Sequence, residues 1–143
     1  MKSIKTLLIN PPVSIEQLYG QFAKGGSDIP PLSLCYIASY LLKFNKEVQI
    51  LDSAKLGLSL DQILNQIKLQ HPDIVGFHAC TPYINTVQRL AESIKVRFPD
   101  ILVIAGGPHF AGEPGIDCHL LNLDLLDLLL IFGYYGFLFH LQY

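Results

Sequence analysis

The residues of this sequence that could do chemistry fall in short polar breaks between apolar runs. One break is His78-Ala79-Cys80-Thr81, followed by Pro82. Another is Gly106-Gly107-Pro108-His109, and a third is Asn10-Pro11-Pro12. His78 and Cys80 have the side-chain types of a metal-ligand pair, but two ligands leave a structural zinc site incomplete. The same types can act as base and nucleophile, and His78, Cys80 and His109 are the candidates for such a role. No third group is spaced to orient them, so no triad is legible. Thr81 adds a hydroxyl, and backbone N–H groups near the start of the helix expected after it could meet an anionic group. Gly106-Gly107 carries no side chains, so a flat or bulky ligand could approach the main chain there. Plainer readings stand beside these. Gly-Gly-Pro after a strand serves as a turn, Pro-Pro as a chain break, and His78 with Cys80 as a pocket-lining or partly exposed pair.

Several better-known sites are excluded by spacing. Asp52 follows an apolar run, as a ribose-binding acid would, but no G-x-G-x-x-G follows the first run. Lys24-Gly25-Gly26-Ser27 lacks the spacing of a P-loop. Asn10-Pro11-Pro12 does not supply the acidic residues of a phospho-receiver domain. Tyr19 and Gly20, in a long irregular segment from Val13 to Pro31, could cover a ligand or form plain surface.

The candidate residues need elements to hold them. Lys5–Ile9, Glu47–Leu51, Asp73–Phe77 and Ile101–Ala105 are short apolar runs, the pattern of strands covered on both faces in a parallel sheet. Between them lie helical spacings. Leu34, Ile37, Ala38, Leu41 and Leu42 mark the first helix within Leu32–Phe44, just after Pro30-Pro31. Leu60, Ile63, Leu64 and Ile67 mark the second, opened by a capping-box pattern of Ser59 with Gln62. Ile84, Val87, Ala91, Ile94 and Phe98 mark the third. Cys35 sits among apolar neighbours on the first helix and is expected in the core. The order β-α-β-α-β-α-β without hairpin signals predicts right-handed βαβ units. The expected fold is a flavodoxin-like or Rossmann-like three-layer α/β domain with a parallel sheet of four to five strands. A fifth strand is expected within Leu125–Phe132. Residues 1–112 form the domain proper, and residues 113–143 an apolar tail with a possible fifth strand and a last element.

In such sheets ligands sit outside the strand C-termini, where the strand order reverses. The loops Asn10–Pro12, His78–Pro82 and Gly106–His109 would form one rim there, because strands one, three and four are neighbours in a 2-1-3-4-5 order.

Bulk properties narrow the class. The chain has 143 residues, 50% of them apolar, with a formal net charge of -2. That suits one domain and gives no basic stripe for nucleic acid. The cysteines Cys35, Cys80 and Cys118 are too scattered for a disulfide framework, so a cytoplasmic setting is expected. Leu128–Leu141 is shorter than the ~20 residues a membrane-spanning helix needs, so no membrane partner is expected.

Five segments together resemble the N-terminal cobalamin-binding domain of cobalamin-dependent radical SAM enzymes. They are Leu8–Pro12, Pro30–Leu41, Val48–Asp52, Pro72–Phe77 with Thr81, and Ala105–His109. The resemblance covers residues 4 to 112. It implies a domain that packs cobalamin against its strand C-termini, with the nucleotide tail buried in a crevice and the corrin over the loops. It implies cofactor contacts from Asn10, Pro11, Pro12, His78, Ala79, Cys80, Thr81, Gly106, Gly107, Pro108 and His109. It implies cobalamin binding without the D-x-H-x-x-G histidine that ligates cobalt in other cobalamin domains, since Asn10-Pro11-Pro12 stands after Ile9 instead. Asp117-Cys118-His119-Leu120-Leu121-Asn122 is a near miss to that motif in the wrong place. The resemblance also implies a partner, a radical SAM domain or protein acting in trans. The C-x-x-x-C-x-x-C that would hold its iron–sulfur cluster is missing here. The family's Gly-Glu-Gly-Glu is replaced by Phe132-Gly133-Tyr134-Tyr135-Gly136. A truncated or frame-shifted gene and a diverged stand-alone domain both account for that tail. A non-catalytic cobalamin carrier is thus the leading expectation. A stand-alone enzyme or nucleotide binder and a non-functional fragment are the alternatives.

Overall fold

The computed structural model describes residues 4–14, 16, 20–25, 30–109, 128–133 and 136–140. Strands β1 (Lys5–Asn10), β2 (Glu47–Asp52), β3 (Ile74–His78) and β4 (Leu102–Gly106) are joined through helices α1 (Leu32–Lys43), α2 (Leu60–Gln70) and α3 (Ile84–Arg97). Two further strands follow, β5 (Leu128–Gly133) and β6 (Gly136–His140). They form one sheet in the order β2-β1-β3-β4-β5-β6. The strands β1 to β5 are mutually parallel, and β1 to β4 follow the expected βαβ order.

The antiparallel edge is new. Gly133 pairs with Gly136, and the register continues to Leu129 opposite His140. A connection this short forces the antiparallel direction. The tail has no Asn-Gly or Asp-Gly, the strongest hairpin signal, so the pairing was not legible. Tyr19, Gly26, Ser27, residues 110–127 with Cys118 and His119, and Tyr134 and Tyr135 lie outside the described residues.

The strand alternation sorts the core. Leu7 and Ile9 of β1, Val75 and Phe77 of β3, and Val103 and Ala105 of β4 belong to one buried cluster. They share it with Ile63, Leu64 and Ile67 of α2 and Val87, Leu90, Ala91 and Ile94 of α3. The intervening positions face the other side of the sheet, because successive side chains of a strand point to opposite faces. There Leu8 packs with Leu34 and Ala38 of α1 in a much smaller cluster. Among the described residues, two helices cover one face and one helix covers the other.

Local chemistry supports these elements. Ser59 Oγ accepts from the Gln62 N–H, and Gln62 Oε1 accepts from the Ser59 N–H, so the expected capping box opens α2. His71 closes that helix in the left-handed region at φ 48°. In α1 only Leu34 and Ala38 are buried, while Cys35 is exposed. This corrects the expectation that Cys35 lies in the core. It sits about 100° round the helix from Leu34, off the narrow stripe that meets the sheet. Leu32, Tyr36, Tyr40 and Phe44 lie on the exposed side.

Ser59→Ala removes one half of the capping box. It is expected to lower stability by about 1 kcal/mol in a urea titration. An unchanged midpoint would show that the cap contributes nothing to the fold.

Candidate functional site

The strand order reverses between β1 and β3. The chain leaves β1 for the α1 face and leaves β3 for the α3 face, so a crevice opens between Asn10 and His78 at their C-terminal ends. A pocket of about 590 Å³ lies there, lined by Asn10, Pro11, Pro31, Ala54, His78 and Cys80 among others. A second cavity, of about 250 Å³, lies between α1 and the sheet. Leu34, Ile37 and Leu41 form its helix wall, and Leu8, Gly76 and Ile104 its floor. It reaches Gly106 and Gly107 at the rim. His78 lines both spaces, which places it at the corner where they approach each other.

The floor is open because Gly76 has no side chain. A Cβ built there would stand 2.9 Å from Leu8 Cδ2, so even alanine would press on the cavity floor. A glycine inside a strand weakens the strand and often marks a close approach by another group.

The loops after β3 and β4 are stitched to each other. The Ala79 N–H donates to the Gly106 carbonyl at 2.8 Å, and the His109 N–H donates to the Ala79 carbonyl at 3.3 Å. His109 Nδ1 lies 3.0 Å from Thr81 Oγ1. Gly107 has φ 137°, and a Cβ there would fall on the Ala79 backbone. Its freedom is therefore spent on this loop–loop contact rather than on a ligand.

His78 is tied down on its other side. Tyr83 Oη stands 2.8 Å from His78 Nδ1, and Cys80 Sγ stands 3.8 Å from His78 Nε2. Burial lowers the His78 pKa below its ordinary 6.5, so the ring is neutral at pH 7. Burial, and then the neighbouring Cys80, push the Tyr83 phenol up, so it stays protonated. A neutral imidazole beside a protonated phenol makes a hydrogen-bonding surface without charge.

The expected site residues divide into groups. Asn10, Pro11, His78 and Cys80 meet at the rim pocket. Gly106 and Gly107 join His78 at the inner cavity. Ala79 is fully buried in the core and acts through its backbone. Thr81 and Pro108 are exposed, while Pro12 and His109 are partly buried. None of these four is among the residues lining the two spaces. Sequence reasoning missed Tyr83, Leu8, Ile104 and the inward stripe of α1. The one available signal was Gly76, a glycine in the middle of an apolar run. Among the described residues no group of three or more His, Cys, Asp and Glu side chains could hold a metal ion. Among them, too, no helix is long and apolar enough to cross a membrane.

The sequence model of the B12 binding domain matches residues 21–118. The chain is 34% identical over 97 residues to the anaerobic magnesium-protoporphyrin IX monomethyl ester cyclase of Rubrivivax gelatinosus, covering 64% of this chain and 18% of that protein. Its fold is similar to the cobalamin-dependent S-adenosylmethionine radical enzyme OxsB with aqua-cobalamin and S-adenosylmethionine bound. That match has a TM-score of 0.68 at 21% identity, covering 91% of this chain and 17% of the other. A cobalamin-binding protein from Desulfitobacterium hafniense DCB-2 matches with a TM-score of 0.56 at 17% identity, over 85% of this chain and 51% of that one. The two solved structures share the fold. The chain spans less than a fifth of the length of the cyclase and of OxsB.

Two outcomes follow from the site's geometry. Because the folded His78 binds its proton less readily than the unfolded chain, stability falls as the pH drops below 6.5 toward the lowered folded value. An NMR titration of the His78 ring is expected to give a midpoint under 6.5, and a midpoint at or above it would contradict the burial. Gly107→Ala is expected to cost about 1–3 kcal/mol in thermal or urea unfolding, from the strained φ and the collision with Ala79. Wild-type stability would show that the two loops are not packed as described.

Proposed function

The chain belongs to the B12-binding domain family, and from that membership we propose that it carries cobalamin with the corrin on the rim and the nucleotide tail in the cavity under α1. The observation that carries this reading is the pair of spaces that share His78. At about 250 Å³ the inner cavity is smaller than the ~300–1,000 Å³ that engulfs a whole drug-sized ligand. It suits one flat ring on a tether, and its walls are almost wholly apolar. The rim pocket is larger and open at the strand ends, where a macrocycle could lie across the loops.

The residues present fit the group. Gly76 adds no side chain to the cavity floor, and a Cβ there would stand 2.9 Å from Leu8 Cδ2 on the same floor. Leu8, Ile104 and the inward stripe of α1 would hold the tail and exclude water. His78 would meet the ligand at the bend between the two spaces, as a neutral group that costs little to cover. Asn10, Pro11 and Cys80 would lie beneath the corrin. When bound, cobalamin supplies the cobalt-centred chemistry, and the protein supplies position and shielding.

We place the chemistry of S-adenosylmethionine in a radical SAM domain or protein that meets the open rim. This rests on the family resemblance and on the cysteines, since Cys35, Cys80 and Cys118 have no C-x-x-x-C-x-x-C spacing. The substrate would be chosen by that partner. The carrier itself needs no catalytic residue, and the weak His78–Cys80 contact provides none.

The test is a spectrum of the purified chain after incubation with hydroxocobalamin and removal of the free cofactor. About one corrin per chain is expected to co-elute. Gly76→Val, which fills the cavity floor, is expected to weaken binding at least about tenfold, or ~1.4 kcal/mol. Cobinamide, which lacks the nucleotide tail, is expected to bind wild type and Gly76→Val alike. Colourless folded protein would overturn the cobalamin reading. Equal cobalamin binding by Gly76→Val would overturn the placement of the tail.

A further inference from the structure

Asp52 is one of the few ionisable groups at the strand ends for which the proposed function has no use. It is half-buried, it ends β2, and its Cα partner in the register is Asn10. Asp52 Oδ1 accepts from Asn10 Nδ2 at 2.9 Å and from the Lys55 N–H at 3.2 Å. The Asn10 carbonyl in turn accepts from the Ser53 N–H at 3.1 Å. Both ends of Asn10 are thus fastened to the turn after β2. Asn10 lines the rim pocket, and Asp52 is not among its lining residues.

An asparagine amide can face its surroundings either way round, with oxygen or nitrogen outward. An ionised carboxylate can only accept, so Asp52 settles the choice. Asn10 must turn its NH2 toward Asp52, which leaves Oδ1 on the opposite branch of the amide. Among the described residues no hydrogen bond engages that oxygen.

We propose that Asp52 is a positioning residue for ligand binding: by holding the Asn10 amide in one orientation, it presents Asn10 Oδ1 at the rim as an acceptor for an N–H donor of the ligand. This deepens the cobalamin reading and rests on it. The donors that fit are the primary amides carried on the edge of the corrin. A corrin whose amide at that edge is hydrolysed to a carboxylate would meet an acceptor with an acceptor and be rejected. Orientation fixed before binding also means that no rotamer is lost on binding, which favours affinity.

The experiment is a titration of the full chain with hydroxocobalamin, followed by absorbance, with thermal melting of each variant alongside. Asn10→Ala is expected to weaken binding about five- to tenfold, the scale of one hydrogen bond. Asp52→Ala is expected to weaken it by a similar factor, and the double variant Asn10→Ala/Asp52→Ala no further. Asp52→Asn keeps an oxygen that can accept from both Asn10 and Lys55, so its affinity is expected within about twofold of wild type. A merely structural role would move the melting temperature of Asp52→Ala without this dependence on Asn10.

Three results would overturn the proposal. The losses could add in the double variant, Asp52→Asn could bind as poorly as Asp52→Ala, or Asp52→Ala could bind as wild type does. Should Asp52→Ala not fold, exchange of the Asn10 side-chain amide protons in the wild-type chain decides. Protection before cobalamin is added supports the lock, and exchange at the rate of a free amide overturns it. A wild-type chain that does not bind hydroxocobalamin would overturn this proposal and the cobalamin reading together. Binding that is indifferent to both residues would overturn this proposal alone.

Discussion

The site depends on the unequal covering of the two faces of one sheet. On one face, alternate residues of β1, β3 and β4 meet α2 and α3 in a closed apolar core. On the other, α1 packs through Leu34 and Ala38 against Leu8, and the ground over β3 and β4 is left hollow. Burial of apolar side chains is worth roughly 25 cal/mol per Å². The hollow therefore marks stabilisation that the chain forgoes, and a ligand with an apolar ring can restore it. Gly76 makes the hollow as much as the helix does, because it is the strand position where a side chain would have filled the space.

The rim is built on the opposite principle. Its loops are tied to one another through backbone contacts and a His109–Thr81 side-chain contact. Ala79 bridges Gly106 and His109, and Gly107 accepts a backbone conformation that L side chains rarely adopt so that the two loops can touch. His78 is held between Tyr83 and Cys80, and Asn10 between Asp52 and Ser53. The groups that would meet a ligand are thus fixed before it arrives.

Much of the scaffold was legible in the residue order. The apolar runs beginning at Lys5, Glu47, Asp73 and Ile101 became parallel strands, and Ser59 with Gln62 became the start of α2. Other features could not be read, because they arise from how elements meet. Cys35 has apolar neighbours in sequence, yet it is exposed because α1 buries so narrow a stripe. The cavity needs strand register to bring Leu8, Gly76 and Ile104 side by side, and no local pattern encodes that. Tyr83 reads as one more apolar residue before a helix, but a 3-10 turn over Thr81–Tyr83 swings its hydroxyl to His78. Asp52 follows an apolar run as a ribose-binding acid would, whereas its partner is Asn10, 42 residues away. The strands β5 and β6 pair without a recognisable turn signal between them.

Amide hydrogen exchange of the chain with and without hydroxocobalamin reports where along the backbone the cofactor acts. New protection is expected in α1 and at the C-terminal ends of β1, β3 and β4, and none around Lys5, Lys46 and Gln70, which line another pocket at the opposite end of the sheet. Protection confined to that opposite end, or spread evenly over the chain, would contradict a ligand seated at the rim and under α1.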